Sequence, residues 1–192
     1  MYWVGMALAN VPMQGVCSNS ENSLLSPQRP VPQTHDLTRS HWVRMNSEDF
    51  SRQLGEIANA GDDFEYQSIQ LTERWKGDEN ASEAVEPILR FMESHPDVDY
   101  GTPGALVHFV ETFSSYEQKL VQSVEHRPTP QTLGMLNRVI NGERDPKKRQ
   151  ALLATLERVL EHPQADSMTR SRAFDYLEFQ LRTTADFSEL PQ

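Results

Sequence analysis

The 192-residue chain has a single cysteine, Cys17. An intramolecular disulfide and a cysteine-based zinc site are therefore excluded, and the composition fits a reducing cytoplasm. No apolar run approaches the ~18 residues of a membrane span, so no membrane partner is expected. Basic residues are in deficit: 18 Lys and Arg stand against 28 Asp and Glu, for a formal net charge of -10. Phosphates are repelled by such a surface and no Lys/Arg cluster offsets it, which argues against nucleic-acid binding. A glycine-rich phosphate loop, a Gly-x-Ser-x-Gly elbow and a Cys/His nucleophile pairing are also missing. No catalytic residue, metal ligand or cofactor is assigned, and the chain reads as a non-enzyme.

What is present divides near Met45. The N-terminal stretch is mildly apolar, but it lacks a basic n-region and is interrupted by Asn10 and Pro12, so it does not read as a signal peptide. Ser18 to Arg39 is rich in Ser, Pro, Gln and Asn, a linker composition. Arg29, Arg39 and Arg44 outnumber Glu21 and Asp36 before Met45, so the acidic excess belongs to the remainder. Residues 1–44 are expected to be a disordered extension or a mis-called start, with Met45 as the native initiator and 45–192 as the folded domain.

After Met45 the apolar spacing is helical throughout. Ser47-Glu48-Asp49 should open a helix that turns Phe50, Leu54 and Ile57 inward and stops near Gly61. A second is expected over 64–75 with Ile69, Thr72 and Trp75 on one stripe. A third, from Ser82 or Glu86 to His95, buries Val85, Ile88, Leu89 and Met92. Thr102-Pro103 reads as N-cap and first-turn proline of the helix carrying Leu106, Val107, Val110 and Phe113. Tyr116 to His126 follows, and Thr129-Pro130 starts the helix of Leu133, Leu136, Val139 and Ile140. Asp145-Pro146 should open the longest helix, bearing Leu152, Leu153, Leu156, Val159 and Leu160. Ser167 should cap a last one that buries Ala173, Phe174, Leu177 and Leu181.

A longer period overlies these helices. Three of them end in an acid and a histidine followed by a proline: Glu93-Ser94-His95-Pro96, Glu125-His126-Arg127-Pro128 and Glu161-His162-Pro163. Pro96, Pro128 and Pro163 lie 32 and 35 residues apart, with two helical patterns in each interval. Such a period marks stacked antiparallel helix hairpins, HEAT-like or an irregular α-solenoid or bundle, in an all-α fold. The tetratricopeptide consensus is absent.

Candidate chemistry is sparse. His95, His126 and His162 close helices, where an imidazole can bond orphan carbonyls and favour the negative end of the dipole. His35 and His41 lie in the N-terminal segment. His108 and Glu111, three residues apart on one helix, face the same side, but no second such pair completes a metal site. In the loop 95–104, Asp97 and Asp99 resemble the start of a calcium loop, yet the later ligand positions do not fit, and calcium is rejected. That loop either caps the next helix and packs Tyr100, or presents Asp97, Asp99 and Tyr100 as an exposed acidic–aromatic ridge for a basic partner. These three residues are the candidate partner-binding site.

The segments ILRFMESHPDVDYGTPGALVHFVE (88–111) and RPTPQTLGMLNRVING (127–142) resemble a pattern found in small bacterial helical proteins of the polymorphic-toxin and contact-dependent inhibition immunity type. The resemblance covers roughly 64–160 and excludes 1–44. It implies a cytoplasmic antidote that binds one cognate toxin, and it brings no catalytic residues. A basic toxin domain would complement the acidic surface electrostatically. Two other functions compete: a helical scaffold or regulatory adaptor using the same surface for a different partner, and, more remotely, an enzyme built on His108, Glu111 and the Asp97/Asp99 loop. The oligomeric state is not legible.

Overall fold

The computed structural model describes residues 44–188, with side chains described for all of these except Asp62 and 183–188. Cys17, His35, His41 and the linker expected before Met45 lie outside the described residues, Arg44 excepted. Within them every regular element is helical: α1 (Ser47–Ile57), α2 (Phe64–Trp75), α3 (Val85–Ser94), α4 (Ala105–Glu111), α5 (Tyr116–His126), α6 (Pro130–Gly142), α7 (Pro146–Arg158) and α8 (Ser167–Ser188). Short 3-10 turns precede α2 and α3 and follow α7. The all-α class expected from the periodicity is therefore the class observed.

Local chemistry explains most of the boundaries. Asn46, one residue before the expected Ser47, caps α1: its Oδ1 accepts from the backbone N–H of Glu48 (2.9 Å) and Asp49 (3.0 Å), while Asp49 Oδ2 accepts from the Asn46 N–H. Thr129 and Asp145 cap α6 and α7, each followed by a proline at the first helical position, as expected. Asp166 caps α8 in place of Ser167, accepting from the Thr169 N–H at 2.6 Å. Pro87 falls in the first turn of α3, where its missing N–H costs nothing. Two further features differ from expectation. The longest helix is α8, with 22 residues, and α4 starts at Ala105 behind Gly104. Thr102-Pro103 is a cis turn two residues upstream of it.

The odd-numbered helices form a row: α1 packs on α3, α3 on α5 and α5 on α7. Of the even-numbered ones, α2 packs on α4 and α6 on α8. Sequence neighbours α1–α2, α3–α4, α5–α6 and α7–α8 also pack together. Trp75 is closed off by Phe50, edge-on at 5.0 Å, and by Phe109 at 5.7 Å, and its indole N–H donates to Gln53 Oε1 at 3.1 Å. Towards the other end the buried Gln180 of α8 ties three helices. Its amide donates to Asn137 and Asn141 of α6, and its carbonyl accepts from Arg149 of α7 at 2.6 Å. A buried amide with its donors and acceptor satisfied fixes the docking of α8 without leaving a polar group unpaired.

Three apolar side chains expected inside are outside. Ile69 is exposed, because α2 buries the stripe Phe64, Ser68, Leu71, Thr72 and Trp75 instead. Phe174 and Leu181 of α8 are 58% and 68% exposed. The buried stripe of α8 runs through Thr169, Ala173 and Gln180, with Tyr176 half-buried beside it. Phe174, Leu177 and Leu181 form a second stripe at helical spacing, turned towards the open end of the row.

Candidate functional site

The loop between α3 and α4 is built on aromatic packing. His95 lies flat on Phe91, ring centroids 4.2 Å apart, with its Nδ1 3.1 Å from the Phe91 carbonyl oxygen. This is the helix-end role expected of it. The Tyr100 hydroxyl donates back to the His95 carbonyl at 2.9 Å, and its ring stands edge-on to Phe64 and Phe91. Tyr100 is thus 4% exposed, and burial pushes its phenol well above the ordinary tyrosine pKa. The expectation of an exposed aromatic ridge is corrected here: Tyr100 belongs to the core, and only Asp97 and Asp99 of the three candidates face solvent. Asp99 Oδ1 accepts from the Gly101 N–H at 2.9 Å, closing a turn in which Gly101 takes φ +79. Gly104 is held so tightly under this loop that a Cβ would lie 1.4 Å from the Tyr100 carbonyl oxygen. The two aspartates are therefore displayed on a loop closed by these contacts.

The pair at the heart of the enzyme alternative separates. His108 is exposed on α4, while Glu111 accepts from Arg138 of α6 at 2.8 Å. No hydrogen bond joins His108 to Glu111, and no group of three or more His, Cys, Asp or Glu able to hold a metal occurs among the described residues.

The acid–histidine helix ends come together in a way that sequence reasoning did not foresee. Glu93 is 4% exposed. Its Oε1 accepts from Ser123 Oγ of α5 at 2.6 Å, and its Oε2 faces His126 Nδ1 at 2.8 Å and Arg90 at 3.0 Å. One step along the row, Glu125 pairs with Arg158 of α7 at 2.5 Å, and His162 Nε2 donates to the Glu125 carbonyl at 3.0 Å. The periodicity in the sequence is thus a pair of contacts repeated in space: the end of α3 binds residues of α5, and the end of α5 binds α7 and the turn after it. His162 reaches an orphan carbonyl as expected, whereas His126 meets a carboxylate. A serine, a histidine and a buried glutamate together suggest a nucleophilic triad, but the geometry denies it. Ser123 and His126 both bond the carboxylate, and no imidazole nitrogen meets the serine oxygen, so the serine–histidine contact of such a triad is missing. The cleft beside them, lined by Glu86, Arg90, Lys119 and Gln122, is about 30 Å³, room for little more than a water.

An apolar concavity lies between α7 and α8. It encloses about 360 Å³ and is lined by Leu153, Leu160, Phe174, Leu177 and Leu181, with Glu157 and Glu178 at its rim. The outward stripe of α8 forms one wall, and no helix among the described residues closes it. The apolar spacing that signals this wall was visible in the sequence. Such spacing reads as core, because periodicity alone does not say whether a neighbour covers the stripe. No described helix is long and apolar enough to cross a membrane. Comparison with known proteins finds no matching family model, no matching curated protein and no matching solved structure.

Proposed function

We propose that this chain is a protein-binding module of the bacterial immunity type, a HEAT-like stack of helix pairs that neutralises a cognate toxin in the cytoplasm by direct binding. The observation that carries the proposal is the α7–α8 groove. Phe174 and Leu181 are held in apolar company on a rigid helix and remain open to water. Contiguous apolar surface rimmed by polar groups is characteristic of protein interaction sites. Glu157 stands beside the groove without an ion-pair partner among the described residues, Glu178 is paired with Arg182, and the chain carries a net charge of -10, so a partner presenting apolar side chains among basic ones would complement it. A basic toxin domain has that chemistry, and opposite charge would speed the encounter and select against wrong partners.

The test is co-expression with the product of the neighbouring gene. The toxin should kill alone, be harmless together with this chain, and elute with it as one complex in size-exclusion chromatography. A neighbour that is no toxin, with a housekeeping protein bound stably instead, would transfer the same surface to a scaffold or adaptor role.

A further inference from the structure

On the opposite flank of α8 from the apolar groove lies a second cavity of about 320 Å³, and its chemistry is different. Its walls are the loop residues Gly101, Thr102 and Pro103, the first turns of α6, and Arg172 and Tyr176 of α8. The only charged side chains lining it are two guanidiniums, Arg138 and Arg172. In a chain with ten more acidic than basic residues, a concavity lined by cations alone runs against the field of the whole molecule. Arg138 is steadied by Glu111 at 2.8 Å. Arg172 and the Tyr176 hydroxyl make no hydrogen bond or ion pair with any described residue, so their donors are unspent. Gln131, in the first turn of α6, also lines the cavity, adding the positive end of that helix's dipole.

From this geometry we infer that the cavity binds a small molecule bearing an oxyanion, a carboxylate or a phosphate. Arg172 forms the forked contact, Arg138 supplies the second positive charge, and the Tyr176 hydroxyl donates a further hydrogen bond. Guanidinium forks match carboxylate and phosphate oxygens in pairs, which gives geometry as well as attraction. The volume sits at the small end of the ~300–1,000 Å³ typical of ligand pockets, so the ligand is small. Ligand occupancy would also bridge the 101–103 loop to α6 and α8, elements that hold Asp97 and Asp99 at one end and the apolar groove at the other.

The experiment is amide NMR of the full chain, titrated separately with sodium phosphate and sodium acetate at ionic strength held constant with sodium chloride. Saturable shifts of the Gly101 and Gly134 amides are expected with at least one of the two anions. Phosphate alone would identify a phosphate-bearing ligand, and acetate alone a carboxylate. Arg172→Gln should weaken the response at least tenfold, and Tyr176→Phe by a smaller factor, with unchanged melting temperature for the first because Arg172 is exposed and unpaired. No saturable shift with either anion, or a response that survives Arg172→Gln, overturns the inference. Neither result bears on toxin binding at the α7–α8 groove, so the two proposals fail independently.

Discussion

Glu93→Ala is the substitution with the best-defined consequence. The carboxylate is nearly fully buried and accepts from Ser123, His126 and Arg90. Its removal affects the three donors differently. Ser123 Oγ is buried beneath α3 and would be left without an acceptor, which costs ~1–3 kcal/mol. The side chains of Arg90 and His126 are 53% and 58% exposed, so they rehydrate, and their loss is the ~0–1 kcal/mol of a surface pair. The total, about 1–4 kcal/mol and centred near 2–3, lies at or below the ~3–5 kcal/mol of a fully buried pair that loses one partner. In a chain of this size that lowers the melting temperature by ~5–10 °C. Urea unfolding followed by circular dichroism measures it directly. Glu93→Gln keeps an acceptor for Ser123 but sets an amide N–H₂ against Arg90, and should fall between the two. In the cycle with Ser123→Ala, the double variant should be ~1–2 kcal/mol less destabilised than the sum of the singles, because no orphan hydroxyl remains. A Glu93→Ala protein within ~0.5 kcal/mol of wild type would refute the view that these helix ends hold the row together.

Other expectations follow from single features. Gly104→Ala places a Cβ inside the Tyr100 carbonyl and should destabilise by ~3 kcal/mol, with the near-ultraviolet tyrosine signal disturbed; wild-type stability would mean the loop can shift freely. The backbone N–H of Thr169 holds the Asp166 carboxyl below its ordinary value of 3.8. Its stabilising contribution is therefore complete above that value and is lost as pH falls through the lower native one, so Asp166→Asn should flatten the acid limb of a stability–pH profile. Asp97→Lys combined with Asp99→Asn, which keeps an acceptor for Gly101, should leave melting temperature within a degree or two. If the loop touches a basic partner, the association rate should fall by a factor that salt diminishes; an unchanged rate would remove that loop from the interface.

How far the sequence reaches is clear from where it stops. Helix position and type followed from apolar spacing, and the Thr-Pro and Asp-Pro starts of α6 and α7 matched because cap and proline act within one turn. The same signature misled at Thr102-Pro103. There the decisive constraint is the approach of Gly104 to the Tyr100 carbonyl, a contact set by the whole loop. The acid–histidine–proline period announced stacking but not its mechanism, since the partners lie more than thirty residues apart: Glu93 with His126, Glu125 with Arg158. Of the candidate site, Asp97 and Asp99 lie at the surface, and Tyr100 takes the packed one of its two expected positions, not the exposed one. An aromatic beside acids can be ridge or core, and only the presence of Phe64 and Phe91 decides. The α7–α8 groove and the arginine-lined cavity escaped for a related reason. Each is made by what does not cover a helix, and coverage is a property of neighbours distant in sequence.

The proposed seating of a basic protein partner in the open α7–α8 groove is tested most directly by titration calorimetry of wild type and of Phe174→Glu/Leu181→Glu with the product of the neighbouring gene. Both side chains are more than half exposed, so the double variant should fold as wild type does. Tight wild-type binding that weakens at least a hundredfold in the variant is the expected result. Equal affinities for the two proteins, or no binding by the wild type, would contradict it.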